Sequence, residues 1–245
     1  MHKTGSTSLQ HFLKINEIFL YENNIFIPKS CRVWKDEIIN HHNLAEGLID
    51  SNLFSKDNNS FEDLLKEIKE IDKNILLSSE DFSKLVSFPE KLLYLESELN
   101  NLNFKIKYIV FTRYNSSYLR SLFFQLKTVK LINYFDIFNF VIQMNKNGFY
   151  KLSSGVKCYL DSDLFLNDWK KISKEKITSI NYDNSTNNIF EEFITIILPG
   201  KSINEFQNNN IYLNKFKKNF FQPLRLLSYI FLNFCGYLIR RKKNK

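Results

Sequence analysis

The chain has 245 residues, which suits one domain of generous size, and 44% of them are hydrophobic, which is ample for a packed core. Its net charge of +8 favours anionic partners such as nucleotides, acidic glycans or anionic membrane surfaces. Residues 215–245 contain nine Lys or Arg and no Asp or Glu, yet no nucleic-acid-binding motif, so we expect no nucleic-acid partner. Cys31, Cys158 and Cys235 are widely spaced and odd in number, which argues against a disulfide framework or a zinc site and fits a reducing cytosol.

Short apolar segments alternate with amphipathic segments along most of the chain. The apolar segments predict strands at 25–28, 75–77, 105–112 and 177–181. The amphipathic segments predict helices at 6–23, 40–51, 61–71, 89–102, 114–131, 135–145, 163–173 and 189–198. This alternation is typical of βαβ units and predicts an α/β fold with a parallel sheet covered by helices on both faces.

The alternation ends at Pro199, so we expect a domain over residues 1–198 and a helical extension with a basic tail over 199–245. In parallel sheets, chemistry collects at the carboxyl ends of the strands. Three polar clusters follow predicted strands there, at 78–80, 112–113 and 182–183.

The first ten residues read Met-His-Lys-Thr-Gly-Ser-Thr-Ser-Leu-Gln and run directly into the first predicted helix. Such a loop offers an anion the ammonium of Lys3 together with backbone amides and hydroxyls. It is not a Walker A loop, because its Lys precedes Gly5 instead of following a second Gly. The alternative is an ordinary helix cap rich in Ser and Thr.

A second anion-binding pattern follows the strand predicted at 105–112. Arg113 comes directly after the strand, and Ser121 lies eight residues later, two turns into the next predicted helix. The guanidinium offers a planar fork of donors to a phosphate, and a Ser hydroxyl can complete the same site. The alternative is an Arg paired with a surface carboxylate and a Ser on a helix face.

Together these patterns resemble the family of sulfotransferases that use 3′-phosphoadenosine 5′-phosphosulfate, whose bacterial carbohydrate-directed members commonly read H-K-T-G-[ST]-T-S-L-Q at the loop. The resemblance implies a P-loop NTPase-like three-layer fold and transfer of a sulfuryl group to a hydroxyl, most plausibly on a glycan. It implies that the 5′-phosphosulfate is held by Lys3, Thr4, Gly5, Ser6, Thr7 and Ser8. It assigns the 3′-phosphate to Arg113 and Ser121.

Sulfuryl transfer to an alcohol needs a base, and histidine has a suitable pKa for that role. His41 and His42 lie in a His-His-x-Leu-Ala segment that bacterial members of the family often carry, and the sequence does not decide between them. Glu80, at the end of the strand predicted at 75–77, is a second candidate, or a carboxylate that caps a helix. Either histidine is otherwise a structural polar residue. Adjacent histidines on a helix point apart, and only Glu46 is near in sequence, so we expect no metal.

The sequence departs from the family in two places. Asn181 stands where many relatives have an Arg, which weakens any ligand role there. In the family an apolar central strand also precedes the loop, whereas here Met1 stands where that strand would end. We therefore expect an apolar segment ending in Gly in the reading frame upstream of Met1. The alternative is a degenerate relative, in which case the enzyme is truncated or inactive.

The apolar segment at 224–239 is too short, and too interrupted by Arg225, Asn233 and Gly236, to predict a membrane span. It suits a helix lying on the inner face of an anionic membrane, or a C-terminal core helix with a solvated basic tail. We expect a cytoplasmic protein. Two alternative functions stay open: a nucleotide kinase that needs Mg²⁺, and a non-catalytic membrane-surface protein with a decayed loop.

Overall fold

A computed structural model describes residues 6–33, 38–112, 116–128, 130–133, 136–181 and 189–207. These residues divide into two compact units, the first containing 6–112 and 169–207 and the second containing 116–168. The boundary that we predict at residue 198 stays a prediction, because most of the extension lies outside the described residues. No helix in the described ranges is long and apolar enough to cross a membrane.

The helices lie close to their predicted positions. They are α1 Ser6–Ile15, α2 Glu17–Glu22, α3 His42–Leu48, α4 Phe61–Lys69, α5 Pro89–Asn101, α6 Ser116–Thr128, α7 Ile137–Asn147, α8 Ser162–Ile172 and α9 Ile189–Ile197. Short 3₁₀ helices that we did not predict cover Lys56–Asn58 and Asp81–Ser87, and another, Ile203–Glu205, lies within the predicted helical extension. α4 starts with a capping box, in which the Ser60 hydroxyl accepts from the Asp63 amide and the Asp63 carboxylate accepts from the Ser60 amide.

The helix predicted at 6–23 is two helices, because the chain breaks at the buried Asn16. The Asn16 amide nitrogen donates to the Phe12 carbonyl at 2.9 Å, and its oxygen accepts from the Gln207 amide at 2.8 Å. Side-chain bonds to the backbone compete with helix continuation, and the bond to Gln207 joins residues 191 positions apart.

Four strands form two parallel pairs. β1 (Ile25–Phe26) pairs with β2 (Asn74–Ile75), and β3 (Lys107–Thr112) pairs with β6 (Lys176–Asn181) over six residues. The parallel pairs and the helices between them agree with the predicted α/β class. The P-loop NTPase-like three-layer arrangement stays a prediction.

No pairing joins β2 to β3 among the described residues. The amides of Asn74, Leu76 and Ser78 all donate toward the β1 side, to Asn24 O at 3.0 Å, Phe26 O at 2.9 Å and His41 Nδ1 at 3.1 Å. Because successive amides of an extended chain point to opposite sides, those of Ile75 and Leu77 face away from β1. This side of β2 would suit a further parallel strand, and the strand expected before the loop stays a prediction.

One core nevertheless serves both parallel pairs. Its buried residues are Leu9, Phe12, Leu13, Leu20, Ile25, Ile27, Ile39, Ile180, Phe193, Ile194, Ile203 and Phe206. Phe12, on α1, lies at its centre, with ring centroids 5.2 Å from Phe190 and 5.4 Å from Phe206. α1 therefore packs directly against α9 and the residues after it, which fixes the helix that follows the predicted phosphate loop.

The second unit contains an antiparallel hairpin that the sequence analysis missed. β4 (Phe149–Lys151) pairs with β5 (Lys157–Tyr159), and the Tyr150 ring packs on Phe140 of α7 at 5.1 Å. α7 is followed by Gly148, whose φ of +77° is the left-handed conformation that glycine adopts without strain.

Candidate functional site

The predicted base candidates meet at the carboxyl ends of β1 and β2. His41 and His42 lie at the start of α3, while Ser78 and Ser79 continue the chain beyond β2. The His41 amide donates to the Ser78 carbonyl at 2.7 Å, which ties the two segments together. The Ile39 amide donates to the Gln10 carbonyl at 3.1 Å, so the same segment is also bonded to α1.

His41 is fully buried, and both of its ring nitrogens are engaged. Nδ1 accepts the Ser78 amide at 3.1 Å, which leaves the ring proton on Nε2, and Nε2 donates to the Pro28 carbonyl at 3.1 Å. Burial lowers the pKa of His41 to about 4. A neutral imidazole with neither nitrogen available is suited to holding β1, β2 and α3 together.

His42 has a different environment. Its side chain is 26% exposed, and its Nδ1 lies 2.7 Å from Asp81 Oδ2 and 3.0 Å from Ser79 Oγ. Nε2 has no hydrogen-bond partner among the described residues. Since Ser79 and Asp81 approach the same nitrogen, this is not the arrangement of a Ser-His-Asp nucleophile, in which the two contact opposite nitrogens.

On the Nδ1 side of His42, three charged side chains that are largely shielded from solvent are linked by ion pairs. Lys84 Nζ is 3.0 Å from Asp81 Oδ1 and also contacts Glu46 Oε1. Burial disfavours the charged form of Lys84, but the two carboxylates more than offset this, and the pKa of Lys84 is raised. His42 and Glu46 are four residues apart on α3, and Asp81 and Lys84 are three apart on the 3₁₀ helix, so one face of each helix meets the other.

The turn that supports His41 is fixed by two charged side chains. Arg32 is buried and donates to the carbonyls of Ile27 and Pro28, while its guanidinium lies 2.6 Å from Glu17 Oε1. The Glu67 carboxylate accepts from the amides of Lys29 and Ser30 at 2.8 and 2.7 Å. Bonds from two helices therefore hold the turn that carries the Pro28 carbonyl.

The phosphate-binding candidates are described only in part. Lys3, Thr4 and Gly5 lie outside the described residues, as does the side chain of Ser6. Ser6, Thr7 and Ser8 form the first turn of α1, with Thr7 exposed and Ser8 half-buried. A helix does begin where the predicted loop ends.

The remaining candidates are Arg113, Ser121 and Glu80. Arg113 is outside the described residues, and Ser121 lies within α6 with its side chain undescribed. Glu80 is half-buried directly before the 3₁₀ helix Asp81–Ser87, and its carbonyl accepts from Ser83 Oγ at 2.8 Å. Within the described ranges, no group of three or more His, Cys, Asp or Glu could hold a metal ion.

Asp81 and Lys84 were not predicted as site residues from the sequence. Their signal is the i, i+3 spacing directly after the Ser78-Ser79-Glu80 cluster, together with Glu46 four residues beyond His42. We considered Glu46 only as a metal ligand. Its partner, the half-buried Lys84, becomes evident only when α3 and the 3₁₀ helix are placed side by side.

The chain matches no protein-family model, no curated protein and no solved structure. Any assignment of function therefore rests on the motif residues and on the geometry of the His42 site.

Proposed function

We propose that the protein is a sulfotransferase that moves a sulfuryl group from 3′-phosphoadenosine 5′-phosphosulfate to a hydroxyl, most plausibly of a glycan. The observation that carries the proposal is the imidazole of His42. It is bonded at Nδ1 to Asp81, has no partner at Nε2 among the described residues, and follows a segment hydrogen-bonded to α1. α1 is the helix that begins in the phosphosulfate-type loop.

In this mechanism Nε2 of His42 takes the proton of the acceptor hydroxyl as that oxygen attacks the sulfur. The new oxygen–sulfur bond forms while the bond from sulfur to the 5′-phosphate oxygen breaks. Lys3 neutralises the charge that develops on the departing phosphate oxygen, and the amides and hydroxyls of residues 4–8 bind the phosphate. The products are a sulfate ester, adenosine 3′,5′-bisphosphate and a proton on His42.

The two histidines differ in their fitness for this role. His41 has both nitrogens engaged and its pKa is lowered to about 4, so protonating it costs far more than protonating an exposed imidazole. His42 is partly exposed and has a carboxylate beside it that would stabilise an imidazolium. We therefore assign the base to His42 and keep Glu80 as the second candidate.

A nucleotide-binding experiment tests the proposal against its alternatives. Adenosine 3′,5′-bisphosphate at 100 times its Kd should stabilise the chain by about 2.7 kcal/mol, a rise in melting temperature of roughly 5–10 °C. Adenosine 5′-monophosphate, which lacks the 3′-phosphate, is the matched ligand and should stabilise less. Stabilisation by ATP and Mg²⁺ alone would favour a kinase. Stabilisation by neither, with binding to anionic vesicles, would favour a membrane-surface protein.

The 3′-phosphate assignment has its own test. Arg113→Ala should weaken binding of adenosine 3′,5′-bisphosphate strongly, because a charge-assisted bidentate contact is lost. Ser121→Ala should cost about 1 kcal/mol, as expected for a single neutral donor. Calorimetry gives the order of the two effects. If Arg113→Ala binds as well as the unchanged chain, Arg113 does not hold this phosphate.

The loop assignment is tested by Lys3→Ala. This change should abolish turnover while leaving the melting temperature unchanged, because Lys3 acts on charge that develops during transfer. Lys66→Ala removes an exposed lysine of α4 and is the matched control. Transfer of labelled sulfate to a panel of glycans is the readout, and near-normal kcat in Lys3→Ala would contradict the mechanism.

A further inference from the structure

Asp81 is in direct contact with His42, and it is not among the site residues that the family resemblance implies. We propose that Asp81 is a positioning residue, which fixes the His42 imidazole as the Nδ1–H tautomer and so presents Nε2 as the basic nitrogen. The reaction that Nε2 serves rests on the proposed function, but the positioning itself does not.

The tautomer follows from the chemistry of the contact. An ionised carboxylate only accepts hydrogen bonds, so the 2.7 Å contact between Asp81 Oδ2 and His42 Nδ1 requires the proton on Nδ1. Ser79 Oγ, 3.0 Å from the same nitrogen, accepts the Asp81 amide at 3.1 Å and is a second acceptor for this proton. Turning the ring over would lose both contacts at once, so the ring orientation is fixed together with the tautomer.

Asp81 is itself held in place as an anion. Its two carboxylate oxygens have different donors, with His42 at Oδ2 and Lys84 at Oδ1, 3.0 Å away. Lys84 is anchored on its other side by Glu46, whose side chain is only 5% exposed. In the series Glu46–Lys84–Asp81–His42, each side chain therefore restrains the next. The last member is the imidazole of His42, which is partly exposed.

The charges of this series suit a base. With neutral His42, the two carboxylates and Lys84 carry a net charge of −1, and a proton received at Nε2 brings the total to zero. When the O–H bond of an acceptor breaks and its proton moves to Nε2, the resulting imidazolium faces an ionised carboxylate at hydrogen-bond distance. A positioned carboxylate thus supports proton transfer without contacting the acceptor.

The tautomer can be measured without any substrate. In ¹⁵N-histidine-labelled full-length protein at alkaline pH, we expect a protonated, pyrrole-type Nδ1 signal and an unprotonated, pyridine-type Nε2 signal for His42. His41 provides an internal contrast, because its contacts require the opposite tautomer. His42→Asn assigns the signals by removing one set. If His42 carries its proton on Nε2 in the unchanged protein, the proposal is overturned without reference to any variant.

Asp81→Asn tests the dependence on the carboxylate, and Asp50→Asn is its matched control. Asp50 also pairs with a lysine, Lys91, at 2.6 Å, but on the surface and away from His42. In Asp81→Asn we expect the His42 signals to shift toward a mixture of tautomers, and kcat to fall about 10- to 100-fold, part of the ~10²–10⁴-fold that a general base contributes. Asp50→Asn should change neither.

The outcomes separate this inference from the proposed function. Asp81-dependent His42 signals in a protein that transfers no sulfuryl group would support the positioning and contradict the sulfotransferase assignment. If the protein transfers a sulfuryl group but the His42 signals do not respond to Asp81→Asn, the sulfotransferase assignment is supported and the positioning is contradicted. An unchanged kcat in Asp81→Asn together with shifted signals would overturn the catalytic consequence of the positioning.

Discussion

His41 and His42 are neighbours in the chain, yet they occupy opposite environments. The His41 ring is sealed between the Pro28 carbonyl and the Ser78 amide, and each of its nitrogens has a backbone partner. The His42 ring is held at one nitrogen by Asp81 and Ser79 and is partly exposed. Because the two residues are of the same type, the difference lies in how many of their ring nitrogens have partners, and this decides which histidine is available to act as a base.

The largest effect should come from His42→Asn. Asparagine can place its amide nitrogen where Nδ1 lies and keep the bond to Asp81, but it has no counterpart of the basic Nε2. We expect kcat for sulfuryl transfer to fall about 10²–10⁴-fold with little change in melting temperature. Rate measurements with saturating donor, and a thermal melt of the same sample, make the comparison.

At high pH the acceptor hydroxyl ionises without help and no longer needs a base. Recovery of the His42→Asn rate at high pH would therefore support the loss of a base. A variant that instead loses stability and keeps its rate would contradict the assignment of the base to His42.

The second effect is on stability and comes from His41→Asn. The asparagine oxygen can still accept the Ser78 amide, but the bond from Nε2 to Pro28 is lost and the smaller side chain leaves a cavity. We expect the free energy of unfolding to fall by about 2 kcal/mol at pH 7. Urea denaturation measures this loss, and turnover per folded molecule should stay near normal. A stable His41→Asn protein with reduced kcat would contradict the structural role.

Taken per pH unit, the smallest effect is the pH dependence of this loss of stability. The pKa of His41 is lowered to about 4 in the folded chain, against about 6.5 for an unburied histidine. Between these values the unfolded chain binds a proton that the folded chain does not, so His41 makes stability fall as the pH is lowered, by at most about 1.4 kcal/mol per pH unit. Above the unfolded pKa it contributes no pH dependence.

His41→Asn lacks this titrating group. The difference in free energy of unfolding between the variant and the unchanged chain should therefore become smaller as the pH is lowered from 7 through the window between the two pKa values. Denaturation curves of both proteins at matched pH values provide the measurement. A difference that stays constant across this window would show that His41 is not buried as a neutral ring.

Much of the fold could be predicted, because its signals are local. The run at 105–112 is apolar and β-branched, and it forms β3 over Lys107–Thr112. The hairpin of β4 and β5 escaped prediction because each strand has three residues and no clear alternation. The 3₁₀ helix Asp81–Ser87 escaped prediction because it has only three apolar residues, Phe82, Leu85 and Val86, too few to establish a helical period.

At the site, sequence could identify the histidine pair but not its orientation. A helix beginning at residue 40 would place both rings on its surface, pointing apart. Instead α3 begins at His42, and His41 precedes it with φ −94° and ψ 43°, outside the helical conformation and with its ring in the core. This conformation depends on contacts with Pro28 and Ser78, which follow two different strands, so no local sequence pattern predicts it.

The turn that seals His41 also has a consequence for chemical labelling. Cys31 lies in this turn with a φ of +63°, its side chain is fully buried, and its thiol lies 3.1 Å from the Ser60 carbonyl. Burial, helped by the carboxylates of Asp63 and Glu67, raises the pKa of Cys31 to about 12, so almost no thiolate exists at neutral pH. Alkylating reagents should therefore modify Cys31 only when the turn opens. The rate at which Cys31 is labelled therefore measures how often this turn opens, and the same opening would release His41.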